Sequence, residues 1–179
     1  MILQKKICMV GAFGVGKTSL VERFVKGMFS DKYFTTVGVK IEKKQLAIEG
    51  QDILLMLWDL AGKDAVTEIR PDLLKGSAAY ILVVDGTRAD TLKMALDLHQ
   101  MATTATANAP FVVVVNKNDL RDNWEVTEAN LDQVRAQGLP VVFSSAKSGD
   151  GVEALFTDLA TRILRNYHGG EQSTAAPAF

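Results

Sequence analysis

Short continuous runs of apolar residues alternate along the chain with segments whose apolar positions recur every three or four residues. Lys6–Val10, Ala79–Val84, Phe111–Val115 and Val141–Phe143 lack polar alternation. That pattern predicts strands buried on both faces of a parallel sheet. Val37–Ile48 alternates in part and Ile53–Trp58 follows closely, so the two predict a hairpin turning at Gly50. Helices are predicted at Lys17–Lys26, at Thr91–Met101 (Leu92, Ala95, Leu96, His99) and at Gly151–Tyr167 (Val152, Leu155, Phe156, Leu159, Ile163). Asp150 with Glu153 predicts a capping box at the start of the last helix, aspartate standing where serine or threonine is usual. Strands alternating with helices over short connections predict a doubly wound α/β fold with a six-stranded, mostly parallel sheet and helices on both faces. Nothing repeats and no second domain is apparent. Residues 1–168 are read as one domain and 169–179, which lack periodicity, as a flexible tail.

Composition narrows the setting. The 179 residues are 47% apolar and 23% charged, with a formal net charge of −1. That is no basic surface for nucleic acid or acidic lipid. The single cysteine, Cys8, lies in an apolar run and reads as a small buried residue of a reducing compartment. The N-terminus lacks the apolar region and cleavage site of a signal peptide. No stretch nears the roughly 20 apolar residues that span a bilayer. A cytoplasmic monomer is the expectation.

Chemistry enters at the ends of the predicted strands. GAFGVGKT, Gly11–Thr18, satisfies G-x-x-x-x-G-K-[ST] between a strand and a helix. Its glycines let backbone N–H groups and a helix N-terminus face an anion, so Gly14, Val15, Gly16, Lys17, Thr18 and Ser19 are candidate phosphate-binding residues. Lys17 supplies a point charge for the terminal phosphates, and the Thr18 hydroxyl can ligate magnesium. DLAG, Asp59–Gly62, offers a carboxylate that can hold magnesium through water and a Gly62 N–H for a γ-phosphate. By itself such a string is a common turn. NKND, comprising Asn116, Lys117, Asn118 and Asp119, ends another strand, where ligands of such sheets bind. An Asp119 carboxylate can accept from the ring N–H and exocyclic amine of guanine, a pair of donors that adenine lacks. After the strand Val141–Phe143 comes SAK, Ser145, Ala146 and Lys147, where the Ala146 N–H can donate to a 6-oxo group.

In this order and on these strand ends, the motifs resemble the Ras superfamily over about residues 3–167. The nearest likeness is Rab-like or prokaryotic Ras-like: DKYFTTVGVKI (Asp31–Ile41) resembles a Rab switch I, and WDLAG its WDTAG. The resemblance implies a P-loop NTPase G domain that binds GTP and GDP with Mg2+ and hydrolyses GTP. It implies that Thr36 closes on magnesium and γ-phosphate, that Phe29 packs against guanine and that Tyr33 covers the phosphates. For Phe29 an ordinary core role is the alternative. Thr35 is a rival to Thr36, but spacing from the phosphate loop favours Thr36. Partners implied are an exchange factor, an activating protein and an effector at Asp31–Val39 and Gly62–Gly76. Three apolar side chains that contact effectors in Rab proteins correspond here to Ile41, Trp58 and Leu73, with core packing as the alternative for each; two of the three are aliphatic where Rab proteins usually carry aromatics.

The chain departs from the pattern in three places. Lys63 stands where the family has a catalytic glutamine that orients water, and a charged lysine has donors but no acceptor. Phe13 occupies a position that is glycine or serine in relatives, where it either crowds an incoming arginine finger or packs on a switch. The C-terminus carries no prenylation cysteine or polybasic run, so no lipid anchor is expected in this chain. A GTPase that is slow without a partner is the leading expectation. The alternative is a GTP-binding module with negligible hydrolysis, recruiting effectors as a scaffold. A P-loop kinase or ATPase is disfavoured by NKND.

Overall fold

The computed structural model describes residues 2–30, 38–60 and 69–174, with side chains through 168. Its elements follow in the order β1 (Leu3–Val10), α1 (Lys17–Lys26), β2 (Val39–Ile48), β3 (Gln51–Leu60), β4 (Ala79–Asp85), α2 (Ala89–Ala105), β5 (Phe111–Asn116), α3 (Glu128–Ala136), β6 (Val141–Phe143) and α4 (Val152–Thr174). The sheet has the order β2-β3-β1-β4-β5-β6. β2 and β3 pair antiparallel, and every other pairing is parallel.

Period-two alternation explains why the central strands read as unbroken apolar runs. On β1, Ile7 and Met9 face one core with Leu20 and Phe24 of α1 and Phe156, Leu159 and Ile163 of α4. Cys8 and Val10 face the other, with Leu92, Ala95 and Leu98 of α2 and Leu131 and Val134 of α3. Both faces of the sheet are covered, so both sets of positions must be apolar.

The strands outrun their apolar stretches. β3 continues through Asp59, β4 through Asp85 and β5 through Asn116, with Asp85 and Asn116 in register. Polar residues thus end three parallel strands on one rim, and they are buried there. α3 was not among the expected helices. It buries only Leu131 and Val134, and its capping box pairs Thr127 with Asn130, so it has neither a stripe nor the usual glutamate at the third helical position. The capping box expected at Asp150 is corrected: α4 begins at Val152, and the Asp150 carboxylate accepts from Asn118 Nδ2 at 3.0 Å. Gly151, whose carbonyl accepts from the Leu155 N–H at 3.0 Å, therefore stands at the capping position, and Asp150 lies one residue too early for it. The backbone of α4 continues through residue 174, past the last apolar position of its stripe. Once nucleated, a helix gains one hydrogen bond per residue added.

At the rim opposite the motifs, Tyr80 Oη bonds to His99 Nδ1 at 3.0 Å and to Thr103 Oγ1 at 2.9 Å, with Phe111 centred 4.3 Å from the imidazole. Burial pushes the His99 pKa below its ordinary 6.5. The unfolded chain therefore takes up this proton first. The stability associated with neutral His99 is complete above pH 6.5 and is lost as pH falls through the interval below it. Melting temperature measured against pH is expected to fall more steeply below 6.5 in the native protein than in His99→Asn. Coincident curves would refute this.

Candidate nucleotide-binding site

Between β1 and α1 the chain turns through Gly11–Gly16. Two glycines here are required by space as well as by angle. A Cβ on Gly11 would lie 2.4 Å from the Val83 carbonyl oxygen, and one on Gly16, at φ +102°, would lie 2.3 Å from Asn116 Nδ2. Lys17 opens α1, is only 6% exposed, and donates to the carbonyls of Gly11 at 2.9 Å and Ala12 at 2.8 Å. Burial lowers its pKa to about 8, against the pull of Asp59 and with a push from Arg88. At neutral pH the ammonium stays charged in the mouth of a loop whose N–H groups also favour an anion. Thr18 Oγ1 donates to Asp59 Oδ2 at 2.5 Å. A hydroxyl and a buried carboxylate side by side, both hard oxygen donors, fit Mg2+, which takes one or two protein oxygens and leaves the rest to phosphate and water.

The base-recognition motifs meet the phosphate loop through Asn116. Its Nδ2 donates to the Val15 carbonyl at 3.0 Å, and its Oδ1 accepts from Ser144 Oγ and from the Ala146 N–H, each at 3.2 Å. The Ala146 N–H, assigned above to a 6-oxo group, is thus engaged by Asn116. Asp119 is exposed, and its Oδ1 accepts from Ser145 Oγ at 2.6 Å. Arg23 of α1 donates to the carbonyls of Ala146 and Lys147, tying the third loop to the first helix. Phe29 is half-buried against the core between α1 and α4. Ser19 follows Thr18 on α1, half-buried. Tyr33, Thr36, Gly62 and Lys63 lie outside the described residues.

Sequence reasoning missed a hub at Asp85. Its Oδ1 accepts from the Thr87 N–H and hydroxyl, and its Oδ2 accepts from Arg88 Nε at 3.2 Å and Lys117 Nζ at 2.6 Å. Burial alone would raise this carboxyl, but the bonds from Lys117 and Thr87 prevail and hold it below the usual range. Arg88 also donates to the Phe13 carbonyl at 2.7 Å. One carboxylate therefore links the phosphate loop to the base loop. A signal was available: Asp85 ends an apolar run as Asp59 and Asn116 do.

On the outer part of the sheet, Ile41 is registered opposite Trp58, and Lys6 Nζ sits 4.0 Å over the Trp58 ring while donating to the Leu73 carbonyl at 2.7 Å. Ile41 and Trp58 are thus paired across the strands, and Lys6 joins Trp58 to the Leu73 backbone. Ile41 is 44% exposed, whereas Trp58 and Leu73 pack partly into the second core.

Comparison with known families matches residues 6–165 to the Ras family. The chain belongs to the Ras family. Among curated relatives, Ras-related protein Rab-18-B of Danio rerio is 34% identical over 162 residues, covering 89% of this chain and 79% of the relative. Ras-related protein Rab-30 of Homo sapiens is 34% identical over 161 residues, with the same coverage. Ras-related protein RHN1 of Nicotiana plumbaginifolia is 33% identical over 166 residues, covering 91% and 82%. The chain is a Rab-like, GTP-binding small GTPase, and its mixed six-stranded sheet is the G-domain sheet of that family. No described helix is long and apolar enough to cross a membrane.

Proposed function

We propose that the protein is a magnesium-dependent switch that binds GDP and GTP tightly and hydrolyses GTP slowly unless a partner assists. The observation that carries this reading is the convergence of Lys17, the Thr18–Asp59 pair and the Asn116–Asp119 loop on one rim of the sheet. Lys17 would neutralise the β- and γ-phosphates, the loop N–H groups would cradle them, and Asp119 would select guanine. Thr18 and Asp59, with Thr36, would hold Mg2+, which would supply positive charge to offset that developing on the phosphates. The 31–39 and 62–76 segments would change order with the γ-phosphate, the usual mode of such switches. Exchange factor, activating protein and effector would act there on a monomer in the cytoplasm. Ile41, Trp58 and Leu73 would form part of the effector surface.

Slow turnover follows from Lys63. Water attack needs an acceptor to orient it, and a charged lysine provides none. Single-turnover phosphate release is expected near or below ~10⁻⁴ s⁻¹, the scale of unassisted Ras-type hydrolysis, and Lys63→Gln should raise it. A fast native protein that slows on Lys63→Gln would show instead that the lysine stabilises transition-state charge. Asp64 would then be the candidate to position water, tested by Asp64→Ala. GTP, rather than GDP, released from the denatured protein would favour the module that binds without hydrolysing.

A further inference from the structure

We propose that Trp124 is a positioning residue for guanine recognition, seated in a socket that only glycine at position 86 leaves open. The inference rests on reading Asn116–Asp119 as the base-binding loop. Lys117, the second residue of that loop, adopts the left-handed conformation at φ 67° and ψ 40°. Its carbonyl accepts from the Leu120 N–H at 2.9 Å, which closes the turn carrying Asp119, and from Trp124 Nε1 at 3.0 Å. The turn that aims Asp119 is thus tied to the indole. At its other end, Lys117 is tied by Nζ to Asp85, the residue before Gly86.

The indole is held from several sides. The Arg121 guanidinium lies 4.0 Å from its ring centre, and the Phe143 ring is centred 5.6 Å away. Gly86 also lies against it, where an added Cβ would come 2.1 Å from Trp124 Cε2 and 2.4 Å from Nε1. Gly86 does not adopt a positive φ, so alanine would suit its backbone, and the indole is what excludes a side chain. The same glycine donates its N–H to the Asn116 carbonyl at 3.1 Å and accepts from the N–H groups of Glu125 at 2.9 Å and Val126 at 3.1 Å. The end of β4, the base loop and the segment following it form one bonded unit with Trp124 at its centre. Tryptophan suits the place because it joins a large flat ring to a single N–H donor.

The test measures GDP and IDP dissociation constants, with melting temperature, for native protein, Trp124→Phe, Trp124→Ala, Gly86→Ala and the Gly86→Ala/Trp124→Ala double variant. IDP lacks the 2-amine that Asp119 would accept from, so the GDP-to-IDP ratio reads the aim of that carboxylate. Trp124→Phe keeps a ring beside Gly86 but loses the N–H. It is expected to weaken GDP binding about 2–10-fold, to shrink the GDP-to-IDP ratio and to leave the melting temperature nearly unchanged. Gly86→Ala should reproduce the loss, and in the Trp124→Ala background it should add nothing, because the displaced ring is gone. GDP and IDP weakening in parallel at a constant ratio would overturn the inference, as would additive losses in the double variant. Asp119→Asn serves as the control: if it leaves base preference unaltered, the reading of the loop itself fails, whatever Trp124 does.

Discussion

Asp119→Asn is expected to change a guanine-nucleotide protein into one that prefers xanthine nucleotides. The carboxylate accepts only, and guanine presents two donors to it, the ring N–H and the 2-amine. An asparagine keeps one acceptor for the ring N–H but sets its own amine against the 2-amine, donor against donor. Xanthine carries a carbonyl at that place, which the asparagine amine can reach. Losing the hydrogen bond from the 2-amine to a charged acceptor, at ~1.5–3 kcal/mol, corresponds to a drop of about 10–10²-fold in GTP affinity. Ser145, which holds Asp119 Oδ1 at 2.6 Å, can donate equally to the asparagine carbonyl, so the side chain should keep its position. Competition between XTP and GTP for the purified variant measures the outcome. Persistent GTP preference would show that Asp119 does not read the base.

Lys17→Ala is expected to weaken GDP and GTP binding by about 10²–10³-fold without unfolding the protein, since charge-assisted bonds to phosphate carry much of such affinity. The sign on stability is the informative part. The Lys17 pKa falls to about 8, so folding disfavours its charge at neutral pH, and alanine relieves that cost. The nucleotide-free variant should melt no lower than the native protein, while the rise in melting temperature on adding GDP should largely disappear. A variant that binds GDP with native affinity would remove Lys17 from the phosphate site. One that melts well below the native protein would mean that the bonds to Gly11 and Ala12 outweigh the burial of the charge.

Much of the fold and part of the site were legible because their signals are local. The apolar runs of β1, β4 and β5 are continuous since both faces of the sheet are covered, and α1 coincides with the expected Lys17–Lys26. α3 was not legible, because a helix with two buried residues carries almost no periodic signal. The Asp150 capping box misled because α4 starts one residue later than the pattern placed it, and Asp150 bonds to Asn118 instead. Trp124 gave no signal at all: a tryptophan in a polar stretch reads as nothing until Gly86 is beside it.

What the sequence determined by itself was most of the elements, the glycine-rich loop and the candidate residues for phosphate, magnesium and guanine, since each depends on neighbours within a few positions. Only the tertiary structure decided which of those residues meet. Thr18 bonds Asp59 from 41 residues away, and Asn116 bonds Val15 from 101. The order β3-β1-β4-β5 sets the C-terminal ends of those strands side by side. That adjacency puts Asp59, the phosphate loop, Asp85 and Asn116 on one rim, and it lets Asp85 hold Lys117 and Arg88 together. Strand order follows from how two apolar faces are covered by helices of different lengths and connections. No local pattern of residues encodes it, so the bonds joining phosphate loop to base loop appear only when the sheet is assembled.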